Sequence, residues 1–167
     1  MVKKVKLSHV SAKGDARMVD VSAKPATRRS ARAEAWVTVG SAIAGQLRAA
    51  GGLAKGDVLQ TARLAGIMAA KRTADLIPMC HPLPLDAIDV EARLAGARVR
   101  IVSRVACEGK TGVEMEAMVA AAIAALTVYD MVKSAGKGIA IGPVRLLEKS
   151  GGKSGKWVRA EGTHGQD

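Results

Sequence analysis

The stretch DAIDVEARLAGARVRIVSRVAC, Asp86–Cys107, decides the fold. Apolar and polar residues alternate on both sides of Ala95-Gly96, which predicts a β-hairpin of Asp86–Leu94 and Arg98–Cys107. On its second strand Val99, Ile101, Val105 and Cys107 share one face, while Arg98, Arg100 and Arg104 share the other. The apolar face needs a covering layer, and the arginine face should meet solvent or an anion. The cover follows directly. Gly112–Ser134 is crowded with alanine and reads as the longest helix. Alanine permits close approach on more than one side, so both the sheet and a second subunit are expected to bury this helix.

Working outward, Pro78, Pro82 and Pro84 force an extended segment around Cys80-His81. Asp57–Arg72 has helical apolar spacing, with Asp57 placed to cap it. Ser41–Ala50 is a short helix stopped by Gly51-Gly52. Ala31–Val39 alternates as a strand, and Ile139–Leu147 supplies the last one. The order is strand, two helices, two strands, helix, strand. It predicts an α+β, ferredoxin-like fold with helices packed on one face of an antiparallel sheet. Residues 1–30 read as an extended basic N-terminal arm, 31–149 as one catalytic domain, and 150–167 as a Gly/Lys-rich tail.

A chain of 167 residues can build one core without staples. It carries 26 Lys and Arg against 15 Asp and Glu, a net charge of +11. Such an excess meets nucleic acid, anionic lipid or a phosphorylated small molecule. There is no Phe, one Tyr (Tyr129) and two Trp (Trp36 and Trp157), too few for a base-stacking platform. Zinc-finger spacing and heptads are absent too. A small polyanion is therefore favoured, with a basic nucleic-acid-binding module as the alternative. The longest nearly apolar run, Ala117–Tyr129, falls short of the ~20 residues that span a bilayer, so no membrane partner is expected. The start lacks the apolar core of a signal peptide, and Cys80 and Cys107 read as reduced thiols; both point to the cytoplasm.

Several motifs have two readings. Gly109-Lys110-Thr111 and Gly152-Lys153-Ser154 resemble the end of a P-loop, but Arg104 and Leu147 stand where its first glycine belongs. The first is favoured as a structural turn. Lys149–Lys156 mixes lysines, glycines and serines and suits a phosphate group, or equally a solvated tail. Glu114 and Glu116 complement the helix N-terminus, or grip a guanine-like edge whose ring N–H and amino groups are donors. Asp130 and Lys133 can meet on one helix face, as a surface ion pair or as a coupled general acid and base. The charge-free run before Asp130 suggests partial burial. Cys80-His81 makes a poor metal site, because adjacent side chains rarely converge on one ion; His81 fits better as a substrate ligand or proton donor. Lys55 precedes the Asp57 cap and is placed to reach an anion. His9 and His164 are assigned nothing.

These blocks also resemble a known family. Met18–Lys24, Lys55-Gly-Asp57, Ala65-Gly-Ile67 with Ala69–Thr73, Asp75–Pro82, Lys110–Ala117, Ala124–Met131 and Ile141–Leu147 with Lys149–Gly155 are similar, in matching order, to the molybdenum cofactor biosynthesis protein C family of cyclic pyranopterin monophosphate synthases. The resemblance runs from about His9 to Gly155. It implies a ferredoxin-like subunit in a homohexamer, a trimer of dimers, with active sites at subunit interfaces. It implies a lyase that converts 3',8-cyclo-7,8-dihydroguanosine triphosphate to cyclic pyranopterin monophosphate with loss of pyrophosphate. By the same resemblance Asp130 and Lys133 are catalytic. Met79, Cys80, His81, Glu114, Met115, Glu116, Lys55, Arg29, Lys149 and Lys153 bind substrate. No cofactor or metal site is implied, and Mg²⁺ arriving with the triphosphate stays open. The chain departs from the family at Ser11, often acidic or an amide there, and at Val132, often a cysteine.

Overall fold

The computed structural model describes residues 9–11, 13–50 and 57–160. Lys55 and His164 lie outside the described residues. The elements run β1 (Thr27–Thr38), α1 (Ser41–Ala50), α2 (Val58–Ala70), α3 (Thr73–Leu76), β2 (Ala87–Ala95), β3 (Arg98–Gly109), α4 (Glu114–Val132), β4 (Ala140–Ser150) and β5 (Trp157–Val158). They form one antiparallel sheet in the order β2-β3-β1-β4-β5. The first four strands with α2 and α4 make the expected split βαβ, and β5 extends its edge.

The hairpin forms around Ala95-Gly96, with Leu94 opposite Val99. Val99, Ile101, Val105 and Cys107 are all buried, together with Ala31, Ala33, Ala35 and Val37 of the neighbouring β1. Ser103 interrupts this apolar face. Its hydroxyl donates to the Ala117 carbonyl at 2.6 Å, which satisfies a buried polar group and ties β3 to α4. Above the sheet, α4 presents Ala117, Ala120, Ala121, Ala124 and Ala125, all buried. It is long and apolar enough to cross a membrane by length and composition. Its packing on the sheet and on α2 is that of a core helix.

The α2–α4 crossing depends on Gly66. A Cβ there would stand 2.9 Å from the Ala120 carbonyl oxygen and 3.2 Å from Val90 Cγ1. The start of α2 is fixed by Asp57, whose side chain accepts from the Leu59 and Gln60 amides, as expected of an N-cap.

On the opposite face of the sheet the arginines are already engaged. Glu34 is 1% exposed and accepts from Arg100 and Arg145. Burial pushes its carboxyl up, but the two guanidinium groups outweigh this and hold it below the usual range. Arg98 stacks 4.5 Å over the Trp36 ring, and Arg104 pairs with Asp89 and Glu91. The expectation that this face would meet solvent or an anion holds for solvent, since Arg100 and Arg104 are 46% and 45% exposed, and the anions they meet here are the chain's own acids.

Most other boundaries move by one or two residues, α3 is an unexpected short helix, and the larger shifts are at β1 and β4. β1 begins at Thr27 rather than Ala31, because Thr27–Ser30 pair with Ala106–Gly109 of β3. β4 reaches Ser150, and the tail contributes β5, which pairs with Glu148 and Lys149.

Candidate active site

At one end of the sheet, four segments converge on a cavity of ≈ 570 Å³. This falls within the range of small-molecule sites, about 300–1,000 Å³. The first wall is the proline-braced loop after α3. Its Met79, Cys80 and His81 all line the cavity. The Cys80 amide donates to the Ile77 carbonyl at 3.0 Å, which turns the chain out of α3 and into that extended loop.

The second wall is the start of α4. Glu114, Met115 and Glu116 face the cavity from its first turn. No side chain caps this helix at Val113, so acids in the first turn complement its exposed amides. Glu116 is only 4% exposed. Burial, and then the charge of Glu114, raise its carboxyl above the usual 4.5, against a hydrogen bond from its own backbone amide. Burial, followed by the charge of Glu116, also raises the Cys80 thiol above 9.0. At neutral pH that sulfur is a thiol and no ready nucleophile.

The third wall is cationic. Arg29 of β1, Lys110 of the turn after β3, and Lys149 and Lys153 around the end of β4 all line the cavity. Lys149 Nζ donates to the Ser154 hydroxyl. The fourth wall is the N-terminal segment, which contributes His9, Val19, Val21 and Lys24. It is fastened by Lys110, whose ammonium donates to the Ser22 carbonyl at 2.8 Å. The same ammonium, after hydrogen bonds from Ser22, helps hold the Asp20 carboxyl down.

The cavity thus brings five cations together with two glutamates and a Cys-His loop. A ligand with a polyphosphate and a ring edge rich in N–H donors matches both. Among the described residues, no group of three His, Cys, Asp or Glu side chains is placed to hold a metal ion.

Of the site residues expected from sequence, nine line this cavity: Arg29, Met79, Cys80, His81, Glu114, Met115, Glu116, Lys149 and Lys153. Asp130 and Lys133 do not line it. They lie at the other end of α4, about 24 Å along the axis from Glu114 at ~1.5 Å per residue. The two side chains meet there, with Lys133 Nζ 2.6 Å from Asp130 Oδ1. The hydrogen bond and charge of Asp130 raise the Lys133 ammonium above its usual 10.5. The expected partial burial of Asp130 is corrected, since its side chain is 64% exposed. The apolar run before it buries its other faces, and helical rotation turns Asp130 outward.

Sequence reasoning missed Lys24 and took Lys110 as part of a structural turn. Lys24 stands within a quoted family block, which was its only signal. Lys110 follows a strand and precedes a helix, a common anion position, but the failed P-loop pattern hid it.

The family model described as the MoaC family covers residues 18–152, most of the chain.

Proposed function

The chain belongs to the MoaC family and with it to the enzymes of molybdenum cofactor biosynthesis, and from that premise we propose that it is a cyclic pyranopterin monophosphate synthase. It acts as a lyase in the cytoplasm on 3',8-cyclo-7,8-dihydroguanosine triphosphate, releasing pyrophosphate. The observation that carries this reading is the lining of the cavity, which brings Glu114 and Glu116 together with Lys24, Lys110, Lys149 and Lys153.

In this reading the triphosphate lies against the lysines, whose charge also stabilises the departing pyrophosphate. The guanine-derived edge donates to the carboxylates at the start of α4. Met79, Cys80 and His81 close over the ring, with His81 able to pass a proton. A substrate hydroxyl attacks the phosphorus nearest the sugar, and pyrophosphate leaves. Asp130 and Lys133 carry the proton transfers of ring opening and rebuilding. We assign the protein no cofactor of its own; any Mg²⁺ enters on the triphosphate.

Those transfers need Asp130 and Lys133 beside a cavity that lies at the far end of their own helix. A second copy supplies them. Met115, Met118, Ala122, Leu126 and Tyr129 form an outward stripe on α4, in which Met115, Leu126 and Tyr129 are exposed. Their spacing is palindromic about Ala122. A two-fold axis there would set two α4 helices antiparallel, with Met115 against the partner's Tyr129 and Met118 against the partner's Leu126. Asp130 would then stand over the partner's Glu114, and Lys133 over the partner's Thr111. The small Ala122 suits a close crossing. Such a dimer is the unit from which we propose the homohexamer, a trimer of dimers, is built.

The test is to incubate the purified protein with 3',8-cyclo-7,8-dihydroguanosine triphosphate. Pyrophosphate release and the mass of the pterin product are followed, with Asp130→Ala in parallel. Conversion by the wild type alone supports the reading. A folded wild type that leaves the substrate untouched would refute it.

A further inference from the structure

Arg29 lines the cavity, yet two of its donors are already committed. Its Nε donates to the Gly109 carbonyl at 3.2 Å, and Nη2 to the Lys110 carbonyl at 3.4 Å. The rest of the guanidinium lies under Gly152. A Cβ on Gly152 would collide with Arg29 Nη1, and that glycine has φ +68, which few side chains accept. One residue earlier, Gly151 packs on the Arg28 carbonyl and Arg29 Cδ. The Ser30 and Ser150 hydroxyls, 2.8 Å apart, close the seam between β1 and β4 beside it.

Arg29 therefore sits between two loops that carry like charges. One holds Lys110 and the other Lys153, next to Lys149 at the end of β4. Lys110 in turn grips the Ser22 carbonyl of the segment that carries Lys24. Without a tie, ammonium groups around an empty cavity repel one another and their loops drift apart. A planar fork can bridge two carbonyls while packing flat under a glycine, which a lysine cannot do.

We propose that Arg29 is a positioning residue and not a phosphate ligand: it clamps the Gly109-Lys110 turn to the Gly151-Gly152 turn and so fixes the spacing of the lysines that bind the polyanion. This rests on the proposed function for the identity of the substrate, but the clamp itself is readable with inorganic tripolyphosphate.

The experiment compares wild type, Arg29→Lys, Gly152→Ala and the double variant. Arg29→Lys keeps the charge and loses the fork. Gly152→Ala keeps every cation and removes the space the fork occupies; because it also strains a backbone at φ +68, the comparison with the double variant reports the clamp. Calorimetry gives the Kd for tripolyphosphate, steady-state kinetics give KM and kcat with the cyclised substrate, and thermal melting reports the fold. Each single variant should weaken tripolyphosphate about tenfold, the order of one lost charge-assisted contact. The double variant should be no more than about twofold worse than the weaker single, because both substitutions break one clamp. KM should rise while kcat stays within about twofold, since Asp130 and Lys133 are untouched.

Additive losses, or normal binding by Gly152→Ala with weak binding by Arg29→Lys, would make Arg29 an independent ligand and overturn the proposal. A fall in kcat at constant KM would mean a mere loss of folded protein, and also overturns it. So would a wild type that fails to bind tripolyphosphate. If tripolyphosphate responds as expected but the cyclised substrate is never turned over, the clamp stands and the proposed reaction falls.

Discussion

Lys133 Nζ lies 2.6 Å from Asp130 Oδ1 on the last turns of the helix whose first turn places Glu114 and Glu116 in the cavity. One helix thus carries two chemically distinct ends too far apart to share a small substrate. Asp130→Ala and Lys133→Ala should each lower kcat by about 10²–10⁴, the usual worth of a general acid or base. Both side chains are more than half exposed, so the melting temperature should barely move. Near-normal turnover by both variants would remove the pair from the chemistry.

If the two ends meet only across a two-fold axis, two dead variants should rescue each other. Asp130→Ala lacks the proton-transfer end, and Lys153→Ala weakens the phosphate end. Mixed by unfolding and refolding together, they form heterodimers in which one site is intact. Random pairing predicts recovery of about a quarter of wild-type activity. Light scattering should find a hexamer in the same sample. Activity no higher than that of either parent would place both ends of each site in one subunit.

Most of the fold could be read from sequence, because its strands and helices obey simple periods. The face Val99, Ile101, Val105 and Cys107 was legible because burial selects it at every second residue. Thr27–Ser30 was not, because all four residues are polar and show no apolar alternation, and only Arg29 among them lines the cavity. The two residues of β5 are too short for any period to show. Within the site, Cys80-His81, Glu114-Met115-Glu116 and the lysines of 149–153 were found as local clusters. Their convergence with Lys24 and Lys110 depends on contacts across the whole chain, which no local pattern records. The pairing of Asp130 with Lys133 was legible from their spacing, and their distance from the cavity only from the length of α4.

Glu116 should make the protein less stable as pH rises. Its folded carboxyl titrates above the ordinary 4.5, chiefly through burial. Between those two values the folded state holds the proton more tightly than the unfolded chain, so stability is lost as pH climbs through the window. Glu116→Gln removes the titration. The variant should match wild type in melting temperature below about pH 4 and exceed it at pH 8, by the same linkage. A wild type that gains on the variant as pH rises would contradict this sign.

Glu34 should behave in the opposite sense. Its carboxyl is held below the ordinary 4.5 because hydrogen bonds from Arg100 and Arg145 outweigh the cost of burial. Its stabilising contribution is present above that value and is lost as pH falls through the lower folded one. Glu34→Ala leaves two partly exposed guanidinium groups without their shared acceptor; because water reaches both, it should cost about 1–2 kcal/mol near neutral pH, less than a fully buried pair. Against Glu34→Gln, the wild-type advantage in chemical denaturation should shrink as pH drops below 4.5. An advantage that persists unchanged into strong acid would mean that shape, and not charge, sustains the contact.

The closeness of α2 to α4 can be tested with one methyl group placed at two sites. At Gly66 an added Cβ meets the Ala120 carbonyl at 2.9 Å, Val90 Cγ1 at 3.2 Å and Ala124 Cβ at 3.3 Å. The carbonyl belongs to a helix backbone and cannot swing away, so the two helices must separate. Overpacking of this kind costs about 1–3 kcal/mol. At Gly45, in α1, an added Cβ meets nothing within 4 Å. There the same substitution only restricts the unfolded chain and favours the helix, a gain of about 0.5–1 kcal/mol. Gly66→Ala should therefore lower the denaturation midpoint and Gly45→Ala raise it. Because α4 carries Glu114 at one end and Asp130 at the other, a shift at Gly66 should also reach the site and raise KM. Equal effects from the two substitutions would mean that the helices are not in the close contact on which this geometry depends.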